Sequence, residues 1–141
     1  MSHSRPKTPW HLWVVGVFLL LWQALASFDF VATVARFEPY LSGYPEDVLE
    51  YYYNAPLWMY AMWGIAAFGG LIGSILLLMR KKSAVPAFGL AWLCSLAAVF
   101  WQSVNPAPEG GGEPEFMIIV IIVALLLLLY MGWMQRRRVL N

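Results

Sequence analysis

The sequence predicts an all-α integral membrane protein with four spans, and three observations carry that prediction. Hydrophobic residues make up 61% of the chain against 12% charged, with a mean hydropathy of +0.64, far from the balance of a water-soluble domain. Four apolar stretches are long enough to cross ~30 Å of hydrocarbon at ~1.5 Å per helical residue. Continuous runs such as "MIIVIIVALLLLLY" lack the alternation of barrel strands, so backbone polar groups in lipid must be satisfied within helices. The whole chain, 1–141, reads as one membrane domain, a four-helix bundle with spans at 13–35, 57–79, 84–104 and 116–133.

The first span follows a basic tail containing Arg5 and Lys7. Its "ALA" at residues 24–26 resembles a signal-peptidase site, but the apolar pattern runs on through "SFDFVATVARF", which favours an uncleaved span. The span carries Asp29. At 100° per residue, positions seven apart share a face, so Trp22, Asp29 and Arg36 form one stripe, with Gln23 on another.

The connection "EPYLSGYPEDVLEYYYNAP" contains a short amphipathic helix: Pro45 suits its first position, Glu46 and Asp47 its first turn. Tyr51, Tyr52 and Tyr53 then lie at the membrane surface. Pro56 opens the second span, which holds the G-x-x-x-G pair Gly69 and Gly73, with Gly70 and Ser74 offset by one. Small residues allow close backbone approach. The third span offers Gly89, Ala91, Cys94, Ser95 and Ala98 and follows after only a few residues, so an antiparallel hairpin is expected at the centre of the bundle; a dimer face is the alternative use of G-x-x-x-G. "NPAPEGGGEPE" reads as a flexible linker, and the fourth span presents large aliphatics to lipid.

Basic residues set the orientation. Arg5 and Lys7, then Arg80, Lys81 and Lys82, then Arg136, Arg137 and Arg138 all fall on one side of four crossings. That side is expected to be cytoplasmic, with both termini inside. Acidic residues other than Asp29 fall on the opposite side. Trp10, Trp13, Trp58, Trp101 and Trp133 form the two interfacial belts, while Trp22, Trp63 and Trp92 lie deeper.

Several function classes find no support. The lone Cys94 precludes an intrachain disulfide and reads as a small buried thiol. No metal site is expected, since His11 has only His3 as a companion, and no cofactor motif is present. Paired intramembrane carboxylates are lacking, and the basic clusters serve topology and anionic lipid rather than nucleic acid.

Asp29 lies about two turns from the polar "EPY", in the outer third of the bilayer, where a charge costs less than the ~3 kcal/mol assigned at mid-depth. One reading makes it structural, hydrated or hydrogen-bonded to Thr33 or a loop tyrosine. The other makes it a proton- or cation-binding carboxylate at the mouth of a cavity lined by Trp22, Tyr60, Trp63 and Gln102.

The stretches "TPWHLWVVGVFLLLWQALASFDFVAT", "YYYNAPLWMYAMWGIAAFGGLIGSILLL" and "KKSAVPAF" resemble a group of small four-span inner-membrane proteins of proteobacteria, often labelled "sugar transporter". The resemblance implies a bacterial inner-membrane setting and makes Asp29 part of an "FD" pair. It supplies no catalytic or binding residues. The expected role is a non-enzymatic accessory or scaffold packed against other membrane proteins or a second copy, with a small-solute transporter coupled through Asp29 as the alternative.

Overall fold

The computed structural model describes residues 7–109 and 114–140. Arg5 and His3, and Gly110, Gly111, Gly112 and Glu113 of the expected linker, lie outside the described residues. Among the described residues six helices follow in order: α1 (Trp10–Val34), α2 (Glu38–Leu41), α3 (Glu46–Tyr53), α4 (Leu57–Leu78), α5 (Ala84–Val104) and α6 (Pro114–Arg136). Among the described residues, α1, α4, α5 and α6 are the four helices long and apolar enough to cross a membrane. The chain is therefore a multi-span membrane protein with an all-helical fold.

The long helices pack in chain order, α1 on α4, α4 on α5 and α5 on α6. Glycine makes the central contact possible. A Cβ on Gly69 would lie 3.2 Å from the Ala91 methyl, and one on Gly73 would lie 3.3 Å from the Phe88 backbone nitrogen, so the α4 and α5 backbones nearly touch. Ser74 is fully buried beside them and returns its hydroxyl to the Leu71 carbonyl at 2.7 Å.

The α1 face that meets α4 is not the Asp29 stripe. It carries Gly16, Gln23 and Phe30, spaced seven apart, against Leu78, Gly70 and Gly64. Between them the Ser27 hydroxyl donates to the Ala67 carbonyl at 3.3 Å, a polar tie inside an apolar interface.

Three helices end in the same way, with arginine in a left-handed conformation: Arg36 (φ 54°), Arg80 (φ 57°) and Arg138 (φ 60°). After each, the chain folds back. Phe37 N donates to Ala32 O, Lys81 N to Leu76 O and Val139 N to Met134 O, the longer bond of a Schellman turn. Glycine normally fills this position because a side chain there costs roughly 1 kcal/mol. Arginine instead sets a cation against the negative end of the helix dipole. Arg36 therefore leaves the helix rather than extending the Trp22–Asp29 stripe, since the helix stops at Val34.

Pro45 also differs from its expected place. It precedes α3 in an extended conformation instead of occupying the first helical position, leaving Glu46 and Asp47 in the first turn.

Candidate functional site

Asp29 is half-buried near the end of α1, and its carboxylate accepts a hydrogen bond from the Tyr40 hydroxyl of α2 at 2.6 Å. The Thr33 hydroxyl donates to the Asp29 main-chain carbonyl at 2.8 Å and so does not serve the carboxylate. Phe28 packs edge-on against the Tyr40 ring at 5.1 Å. The carboxylate hydrogen bond, with burial adding to it, holds the Tyr40 hydroxyl well above the usual phenol range.

The three consecutive tyrosines of α3 reach three different places. Tyr51 donates to the Asn105 carbonyl at 2.6 Å and leans on Trp101, tying α3 to the end of α5. The Tyr52 carbonyl accepts from the Tyr60 hydroxyl, and its ring lies 5.9 Å from Trp63. Burial pushes the Tyr52 phenol up to about 12 and also raises Tyr51. The Arg36 guanidinium sits 4.2 Å above the Tyr53 ring, a cation–π contact. Arg36 is thereby turned toward Tyr53, and no Asp29–Arg36 ion pair occurs among the described residues.

Two cavities flank this region. The first, about 430 Å³, lies among α1, α4, α5 and α6 and is lined by Trp22, Gln23, Trp63, Trp92 and the aliphatic side of α6. The second, about 420 Å³, is formed by Phe30, Thr33, Arg36, Tyr53 and Tyr60. The residues expected at one mouth are thus divided. Trp22 and Trp63 line the first cavity, Tyr60 lines the second, and Asp29 and Gln102 line neither. Gln102 Oε1 is buried and receives no hydrogen bond from the described residues.

Gln23 was not among the expected site residues, although it is the side-chain amide of the first cavity. Its amide covers Gly70: a Cβ there would fall 2.4 Å from it. The available signal was the glycine, whose missing side chain makes room for a polar group from the neighbouring helix. The fourth span contributes a group that a side-chain inventory overlooks, the Ile121 carbonyl, which accepts from Trp92 Nε1 at 3.1 Å.

At the opposite end, near the basic clusters, α1 and α6 are brought together by a hydrogen bond between His11 Nδ1 and the Tyr130 hydroxyl, with Trp133 stacked on the imidazole. Leu12, Met131 and Met134 are fully buried beneath it. No cluster of three or more His, Cys, Asp or Glu side chains suited to a metal ion occurs among the described residues. No protein-family model, curated protein or solved structure matches the chain.

Proposed function

We propose that this chain is a non-enzymatic four-helix bundle of the bacterial inner membrane that works as an accessory or scaffold component, packing against other membrane proteins or a second copy. The observation that carries this reading is the placement of Asp29. The carboxylate within α1 is engaged by Tyr40 and lines neither cavity, whereas a coupling carboxylate has to face the path of its solute. Its task here is to fasten the connection between α1 and α4.

The basic clusters support an orientation with both termini in the cytoplasm and α2 and α3 outside, α3 serving as the short amphipathic helix at the surface. The likeness of the first three spans to small four-span proteins of proteobacteria supports the inner-membrane setting. Fusion of a cytoplasm-only fluorescent reporter to the C-terminus gives signal in this orientation and none in the reverse.

A small-solute transporter is the second reading, favoured by the 430 Å³ cavity with Trp22 and Trp63 in its wall. Proteoliposomes loaded with a pH-sensitive dye separate the two. The accessory reading expects equal proton leak for wild type and Asp29→Asn, together with a large loss of stability in Gly73→Leu. A flux present in wild type and abolished by Asp29→Asn overturns it in favour of transport. Tolerance of both substitutions removes the support for either assignment.

A further inference from the structure

We propose that the cavity between α1 and α6 binds one acyl chain of a phospholipid, taken sideways from the leaflet on the side of α2 and α3. The proposal goes beyond the accessory role and does not rest on it.

Location is the first reason. Every residue lining the cavity belongs to a membrane-spanning helix, so its lateral opening meets hydrocarbon rather than water. Extensive packing joins α1 to α4, α4 to α5 and α5 to α6, and both α1 and α6 contribute to the cavity wall. Below the cavity, His11 and Tyr130 join these two helices over a fully buried floor of Leu12, Met131 and Met134. A chain can therefore enter only from the half nearer α2 and α3.

Length is the second. The α6 wall runs from Phe116 to Leu127, about 16 Å at ~1.5 Å per residue, or half of a ~30 Å hydrocarbon core. The lining residues of α1, Phe18 to Ala26, and of α5, Phe88 to Ser95, lie about the middle of their helices, so a chain entering from that side reaches the midplane of the bilayer.

Chemistry is the third. Two polar groups of the wall are committed: Trp92 Nε1 donates to the Ile121 carbonyl at 3.1 Å, and the Ser95 hydroxyl to the Trp92 carbonyl at 2.7 Å. Gln23 lies over Gly70. A sugar or a cation needs several convergent polar partners, whereas indole faces and aliphatic side chains suit hydrocarbon. Apolar cavities stay dry, and an empty one forfeits dispersion contacts along its walls, so the surrounding chains are the natural filler.

The test uses the full chain in vesicles of phosphatidylcholine brominated near the middle of one acyl chain, against unbrominated vesicles. Trp92 is half-buried at mid-span, and its emission is isolated by difference from Trp92→Phe. The site predicts about twofold quenching of Trp92 in wild type, since quenching requires bromine near contact distance. It predicts loss of that quenching in Ala124→Phe, which fills the cavity from α6, and in Ala66→Leu, which fills it from α4. Helicity by circular dichroism confirms that at least one filled variant is folded. Equal quenching in wild type and a folded filled variant overturns the proposal. Quenching of Trp92 by aqueous iodide overturns it as well, because the cavity then holds water and suits a polar solute.

Discussion

The Tyr40 hydroxyl donates to the Asp29 carboxylate at 2.6 Å, closing the chain reversal between α1 and α2 with a charge-assisted hydrogen bond. Such bonds contribute about 1.5–3 kcal/mol when their environment is partly desolvated. Tyr40→Phe is expected to lower stability by roughly 1.5 kcal/mol, and Asp29→Asn by less, because the amide oxygen still accepts. Unfolding in mixed micelles on a double-mutant cycle measures the coupling. Additive single effects remove the pair from the account.

Alkaline titration reads the same region. Burial pushes Tyr52 up to about 12, above the ordinary value of 10.0, and the bond to Asp29 raises Tyr40. A phenol whose folded pKa is raised adds stability that is complete below the unfolded value and is lost as the pH rises through the folded one. For Tyr52 the loss spans pH 10 to about 12. Phenolate absorbance should show a late step that disappears in Tyr52→Phe. Asp29→Asn should bring the Tyr40 step down toward ~10.

Glycines at different places in the fold should respond oppositely. At Gly73 a Cβ would press on the Phe88 backbone at 3.3 Å, so Gly73→Ala is expected to cost about 1–3 kcal/mol through overpacking. Gly132 is in α6 with nothing within 4 Å of its would-be Cβ. Gly132→Ala is expected to gain roughly 0.5–1 kcal/mol from helix propensity alone. Thermal unfolding of the two variants in one detergent checks both signs.

The left-handed arginines make a further case. Arg138 is exposed, with φ of 60°. Arg138→Gly should gain about 1 kcal/mol by removing the strain, while Arg138→Ala, equally uncharged, should not. Equal effects of the two substitutions would show that charge, and not backbone conformation, governs this terminus.

These positions also show what a sequence discloses and what it conceals. The four spans were legible because uninterrupted apolar residues leave a helix as the economical way to cross hydrocarbon. That Asp29 takes a loop tyrosine was one of the structural options foreseen, although Thr33 serves the main chain instead. Arg36 was placed on a continuing helix because periodicity carries no marker for a C-terminus that lacks glycine. Gln23 escaped because a helix's own period cannot say which face its neighbour covers. That answer came from Gly70, on a different span.

The order of packing has a consequence for biogenesis. Since α1 meets α4, α4 meets α5 and α5 meets α6, each long helix emerging from the ribosome finds its partner already in the bilayer. Assembly can proceed stepwise, with no span held in waiting for a distant one. The exception is His11 with Tyr130, separated by 119 positions, which must be among the last contacts to form. A truncation before α6 should therefore leave a stable three-helix intermediate whose open edge awaits the final span.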